Sequence, residues 1–201
     1  AFTLAPVPGA IQGAGGCPVF VEITKDLVLD LDDLKAKIES TNAKFLMLSH
    51  MRGHIVDMEA LLKITDEAGI KVIEDCAHTM GANWNGITSG RSGIVGCYST
   101  QTFKHINSGE GGFLITDDVE IMAKATMLSG SYMLYESHLA GAPIEAFENI
   151  RLDTPNCSGR MDNLRAAILR PQLENLSIQA KRWNKRYRKL ENGLNQVEGI
   201  R

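Results

Sequence analysis

Apolar positions along the chain alternate between short continuous runs and stripes at helical spacing. Pro18-Val19-Phe20-Val21-Glu22-Ile23 is short, rich in β-branched residues and preceded by glycines, which predicts a strand. Leu31, Leu34 and Ile38 then recur with helical period, and Asp30 stands where an N-cap belongs. Residues 44–49 predict a second strand. Asp57 can cap a helix that presents Met58, Leu61, Leu62 and Ala68 and stops at Gly69. Residues 71–75, 94–98 and 112–116 predict three further strands. Strands separated by helices of about ten residues indicate βαβ units, so the predicted fold class is α/β with a mostly parallel sheet flanked by helices.

From Met161 the pattern turns helical almost to the end, interrupted at Pro171. There Trp183, Tyr187, Leu190 and Leu194 form one apolar stripe. Residues 131–160 are the one stretch without clear periodicity, and so long a loop in a compact domain is usually functional or mobile. The chain opens on Ala1 without an initiator Met and closes on Ile200-Arg201 directly after a helical pattern. These ends carry the expectation of a portion of a longer protein.

Composition narrows the function classes. The 201 residues, 44% of them hydrophobic, are ample for a core. Twenty-four acids against 21 Lys and Arg leave a formal charge of −3, with no excess cation for nucleic acid or an anionic membrane surface. The longest apolar runs, 45–48 and 112–115, fall far short of a membrane span. Cys17, Cys76, Cys97 and Cys157 show no CxxC spacing, which fits free thiols in a reducing compartment and a cytoplasmic protein. The cations between Lys181 and Lys189 surround the apolar stripe as the solvated face of an amphipathic helix. His50 and His54 have HxxxH spacing, but a strand ends at His50 and Gly53 intervenes, so no metal site is expected. The glycine clusters at 13–16 and 109–112 do not complete GxGxxG, and no GxxxxGK[ST] occurs.

The chemistry concentrates between Ile73 and Thr116. Asp75 ends an otherwise apolar strand and His78 follows three residues later; Ser99 ends another strand and Lys104 follows in the next turn. In a parallel α/β sheet, ligands sit at the carboxyl ends of strands. Separately, such residues are caps, turn formers or solvated charges. Together they match the needs of pyridoxal phosphate: a lysine for the Schiff base, a carboxylate facing the pyridine nitrogen, a hydroxyl and backbone N–H groups for the phosphate.

The motif Ile73-Glu74-Asp75-Cys76-Ala77-His78, with Gly81-Ala82, Gly86, Gly90, Gly96-Cys97-Tyr98-Ser99, Lys104 and Gly109-Glu110-Gly111-Gly112, resembles the DegT/DnrJ/StrS family. The likeness extends to residues 18–23, to Ser49-His50-Met51-Arg52-Gly53, to Gly159-Arg160-Met161, to Ala166-Ala167 and to Gln172-Leu173. These are sugar aminotransferases dependent on pyridoxal 5'-phosphate, of fold type I. The resemblance implies that residues 1–160 belong to the cofactor-binding large domain and 161–201 to a helical connection toward a small domain. It makes Lys104 the Schiff-base lysine and proton-transfer base, Asp75 the partner of the ring nitrogen, His78 a neighbour of the ring and Ser99 a phosphate ligand. Asn156, with Ser158 as the alternative, takes the place of a family Asn that reaches the phosphate across a dimer interface. Leu4, with Phe2 nearby, stands where relatives often stack an aromatic ring.

The implied reaction moves an amino group from an amino-acid donor, commonly glutamate, to a keto sugar, usually nucleotide-linked, in a homodimer. Relatives with His at the lysine position are dehydratases, and the spacing from Lys104 to Gly109 favours transamination. A cofactor-sensing or scaffold module of the same fold is the alternative, followed by a dehydratase or lyase.

Overall fold

The computed structural model describes residues 1–131, 133–137 and 141–199. In chain order its main elements are α1 (Pro6–Gly13), α2 (Leu31–Ser40), β1 (Phe45–Ser49), α3 (Met58–Glu67), β2 (Lys71–Asp75), β3 (Asn83–Trp84), β4 (Ile87–Thr88), β5 (Val95–Ser99), β6 (Gly112–Ile115), α4 (Val119–Ser129), α5 (Asn163–Glu174) and α6 (Leu176–Leu194). The central sheet has the order β1-β2-β5-β6; β1, β2 and β5 run parallel and β6 returns antiparallel to β5. The mostly parallel α/β sheet expected from the sequence is therefore present.

Helix starts follow the sequence closely. The Asp30 carboxylate accepts from the amides of Asp32 and Asp33, Asp57 from Ala60, Asp118 from Glu120 and Ile121, and Asp162 from Arg165. Each satisfies N–H groups that a helix start leaves without partners. Leu34, Leu48, Val56, Met58, Leu61 and Val72 form the main buried cluster, which packs α2 and α3 against β1 and β2. A second cluster gathers Ala123 and Met127 of α4 around Phe147, on which Tyr135 stacks at 4.5 Å.

Two expectations are corrected and two are filled in. Residues 18–23 form no strand and contribute only the single bridge Ile23–Leu29. A cleft of about 550 Å³ is lined by this stretch together with α1, β1 and Ile73. Pro171 does not interrupt the helix: α5 runs through it, and the break falls at Asn175, whose side-chain amide donates to the Pro171 carbonyl at 2.8 Å. The ring removes one backbone donor, which a helix with other anchors tolerates. The stretch 131–160 is partly ordered into 3₁₀ turns at Tyr135–Ser137 and Ile144–Phe147; residues 132 and 138–140 lie outside the described residues. The stripe on α6 is left open, with Tyr187, Leu190 and Leu194 exposed and Trp183 half-buried.

One buried carboxylate ties these pieces together. Glu74, only 1% exposed, accepts from the amides of Gly90 (2.8 Å), Ser92 (2.8 Å) and Gly93 (2.7 Å) and faces His50 Nε2 at 2.9 Å. Burial pushes its pKa upward, but the His50 and backbone hydrogen bonds outweigh that and hold it below the ordinary carboxylate range. The turn it grips has little spare room. Gly90 has φ +89, and a Cβ there would stand 2.7 Å from the Tyr98 hydroxyl; a Cβ on Gly96 would collide with the Gly90 carbonyl.

Because the native carboxylate is held low, its stabilisation is fully present above the ordinary glutamate range and is lost as the pH falls through the lowered folded value. Glu74→Gln is expected to lower stability by about 3 kcal/mol or more and to flatten the acid limb of the stability–pH curve. Denaturant unfolding at a series of pH values checks both, and an acid limb unchanged by the substitution would refute the assignment. Gly96→Ala is expected to lose stability by a similar route, by overpacking against the turn.

Candidate active site

The carboxyl edge of the sheet assembles the predicted residues from three neighbouring strands. Ser49 and Asp75, at the ends of β1 and β2, and Cys97, in the middle of β5, are register partners, so their side chains share one face. Ser99 closes β5 two residues further on the same face. Asp75 is half-buried and held at both oxygens: Oδ1 accepts from the Ala77 amide at 3.1 Å and Oδ2 from the Ser49 hydroxyl at 2.8 Å. Among the described residues no cation pairs with it. A carboxylate has about four acceptor positions, so two remain for an external N–H.

His78 stands beside this edge. Its Nδ1 accepts from the Arg52 amide at 3.1 Å, which leaves Nε2 to carry the proton of the neutral ring. Burial lowers its pKa, the positive charge of Lys104 lowers it further, Asp75 pulls the other way, and Arg52 and His105 add smaller lowering effects. The ring therefore feels both Asp75 and Lys104. Arg52 reaches this position through a left-handed backbone, φ 57 and ψ 16, in the turn Met51–Gly53.

Lys104 rides on the loop between β5 and β6. The loop is closed by Thr100 N to Gly111 O (2.9 Å), Thr102 N to Gly109 O (2.9 Å) and Ser108 N to Thr100 O (3.0 Å). Ile106 is buried beneath it, and Gln172 of α5 clamps Asn107, accepting from its amide at 3.0 Å and donating to its carbonyl at 2.8 Å. The half-buried Lys104 ammonium has no hydrogen-bond or ion-pair partner among the described residues. Its neighbour His105 packs instead on Trp183 of α6, with ring centroids 5.3 Å apart, and burial followed by the Lys104 charge lowers the His105 pKa.

Ser99 Oγ accepts from the Gln101 amide at 3.3 Å, so its own O–H is uncommitted. Beside it the Thr100 hydroxyl is buried with no partner among the described residues. Asn156 is not joined to this set by any hydrogen bond among the described residues. Its carboxamide oxygen accepts from the Ser158 amide (2.8 Å) and hydroxyl (3.3 Å), and a Cβ on Gly130 would lie 2.8 Å from it. Leu4 and Phe2 sit near the chain start, Leu4 exposed and Phe2 half-buried.

Three participants went unread in the sequence: Thr3, Ser49 and Glu74. Ser49 was open to detection, because adjacent parallel strands that both end at the active edge place their last residues side by side. A metal at His50, Glu74 and Cys76, whose ligand atoms lie within 4.8 Å of one another, is disfavoured by their chemistry. Both Glu74 oxygens are already saturated by donors, and burial pushes the Cys76 thiol up to about 11, keeping it protonated. All four cysteines are free. No helix among the described residues is long and apolar enough to cross a membrane.

Among curated proteins, the "Pleiotropic regulatory protein" of Geobacillus stearothermophilus is 32% identical over 193 residues, covering 94% of this chain and 46% of the relative. The "dTDP-3-amino-3,4,6-trideoxy-alpha-D-glucose transaminase" of Micromonospora megalomicea subsp. nigra is 31% identical over 176 residues, covering 87% of this chain and 44% of the relative. The chain thus spans about half the length of the curated relatives it matches. Among solved structures, GDP-4-keto-6-deoxymannose-3-dehydratase with a trapped PLP-glutamate geminal diamine superposes with a TM-score of 0.73 at 25% identity, over 88% of this chain and 47% of that one. The family profile described as the DegT/DnrJ/EryC1/StrS aminotransferase family matches residues 1–201, and the chain belongs to that family.

Proposed function

We propose that the protein is an aminotransferase dependent on pyridoxal 5'-phosphate, which passes an amino group from an amino-acid donor such as glutamate to a keto sugar, nucleotide-linked in the favoured form. One observation carries this reading: a half-buried carboxylate without a cation, Asp75, and a lysine without a partner, Lys104, act on the same imidazole at the carboxyl edge of a parallel sheet. The donor set suits the cofactor. Asp75 keeps acceptor positions for a protonated ring nitrogen, Ser99 keeps an O–H for a phosphate oxygen, and His78 presents a neutral ring N–H beside them. Bound there, pyridoxal phosphate supplies an electron sink for breaking bonds at the carbon that bears the amine.

The protein's own contributions follow from the placement. Asp75 keeps a positive ring nitrogen charged, Ser99 orients the phosphate, and the Lys104 amine, once free, carries a proton to and from the substrate carbon. Lys104 is favoured over His105 for that task because the His105 ring is engaged with Trp183. This supports transamination over sugar dehydration.

Residues 1–160 form the cofactor-binding portion in this reading and 161–201 the helical connection. Asn156 serves a phosphate across a homodimer boundary in this reading, its carboxamide nitrogen being unused by the bonds to Ser158. Phe103, beside Lys104 and 90% exposed, is an apolar group that a second subunit would cover. Cytoplasmic placement is supported by the four free thiols. A purely sensing module is the second reading, favoured by the relative named as a regulatory protein.

Borohydride reduction of the whole natural protein loaded with pyridoxal phosphate is expected to place the label on Lys104, as read by peptide mapping. Label on a different lysine would overturn the assignment. With glutamate and keto sugar nucleotides the protein is expected to release a keto acid, and Lys104→Ala to lower turnover by about 10²–10⁴-fold. Cofactor binding without keto acid would instead favour the sensing module, and deoxygenated sugar would favour a dehydratase.

A further inference from the structure

Asp75 is approached by a chain of two hydroxyls that the proposed transamination leaves without a role. Thr3 Oγ1 lies 2.6 Å from Ser49 Oγ, and Ser49 Oγ lies 2.8 Å from Asp75 Oδ2. The proton directions are fixed by chemistry. An ionised carboxylate only accepts, so the Ser49 proton points to Asp75, and the single proton between the hydroxyls is donated by Thr3. The chain therefore reads Thr3 O–H to Ser49 to Asp75, each bond polarising the next toward the carboxylate.

The fold fixes the Ser49–Asp75 link of this chain. Ser49 and Asp75 are paired in register on adjacent parallel strands, so the backbone ladder sets their separation. The His50 amide, one residue on, donates to the Asp75 carbonyl at 3.1 Å. With the Ala77 amide on Oδ1 and Ser49 on Oδ2, the carboxylate is restrained from both sides.

We infer that Ser49, supported by Thr3, is a positioning residue that fixes the rotation of the Asp75 carboxylate so that its free acceptor positions meet the ring nitrogen of the cofactor. This rests on the proposed cofactor role of Asp75. The contribution of the pair has a definite sign: a donor already on Oδ2 keeps the negative charge on the carboxylate and leaves the proton on the ring. Without Ser49 the carboxylate keeps one restraint only and turns more freely. Losing one charge-assisted hydrogen bond of this kind is expected to weaken cofactor binding by about five- to tenfold.

The test uses the whole natural protein with Ser49→Ala, Ser49→Thr and Thr3→Val, with two readouts. The first needs no cofactor: the side-chain carboxyl ¹³C resonance of Asp75, identified by its disappearance in Asp75→Asn. It is expected to move in Ser49→Ala, to move less in Thr3→Val, and to return toward its native position in Ser49→Thr. The second is titration with pyridoxal phosphate followed by absorbance, where the affinity loss should rank the variants in the same order and the pH dependence of the bound spectrum should shift in Ser49→Ala. Denaturant unfolding of the apo variants separates this from a general loss of folding.

A resonance unmoved by Ser49→Ala overturns the hydroxyl chain. A resonance that moves while affinity and spectrum stay native overturns the positioning role and leaves the transaminase reading intact. Failure of the native protein to bind pyridoxal phosphate overturns that reading and the positioning role with it, while the resonance still decides the hydroxyl chain.

Discussion

The active edge depends on a carboxylate that never reaches it. Glu74 gathers three backbone amides from the turn between β4 and β5 and pairs with His50 at the end of β1. Unpaired, a buried carboxylate would be strongly destabilising; fully bonded, it adds side-chain anchorage between the turn before β5 and the end of β1, on top of the sheet ladder. Because His50 also donates its amide to the Asp75 carbonyl, the same clamp sets the spacing of the two strand ends from which Ser49 and Asp75 project. The close packing of Gly90 against Tyr98, and of Gly96 against Gly90, seals the turn on its other side.

Strand alternation then divides the labour between consecutive residues. Glu74 and Asp75 are chemically alike, yet the period of two sends them to opposite faces. One meets amides and an imidazole in the interior; the other meets a hydroxyl, one amide and open acceptor positions at the edge. The pairing of β1 with β2 extends that logic sideways, setting Leu48 opposite Glu74 and Ser49 opposite Asp75, while His50, just past β1, reaches Glu74 through its side chain. A one-residue slip in either strand would exchange a structural carboxylate for a reactive one, so register here is a functional constraint as much as a packing one.

Much of this was legible in the sequence, and the rest failed for identifiable reasons. The short, largely apolar runs located β1, β2 and β5, and with them Asp75 and Ser99, because burial makes such runs apolar. Aspartates marked the starts of α2 and α3 because helix starts leave amides unpaired. The run 18–23 misled because its composition suits a strand, while it makes only the single bridge Ile23–Leu29. Helix α1 is only eight residues long, carries two Pro and two Gly and buries no residue, so its pattern is too short to read. The β3–β4 hairpin did have a signal: Asn85 and Gly86 have φ 48 and 84, the turn that an Asn-Gly pair favours between short strands. Ser49 and Thr3 escaped because a hydroxyl acquires meaning only from the strand beside it. Asn156 rests on the family resemblance alone, and its bonds to Ser158 leave its carboxamide nitrogen unused.

The helices after Met161 acquire a purpose that their amphipathic pattern did not disclose. Between Lys104 and His105 only one residue of register decides which side chain faces Asp75 and His78. That register is held from outside the sheet: Gln172 of α5 grips both backbone groups of Asn107, Ile106 is buried beside it, and Trp183 of α6 takes up the His105 ring. With His105 drawn toward α6, the charge that reaches His78 most strongly is that of Lys104. The long helices are therefore a support for the lysine loop, through Gln172 in the last turn of α5 and Trp183 two turns into α6.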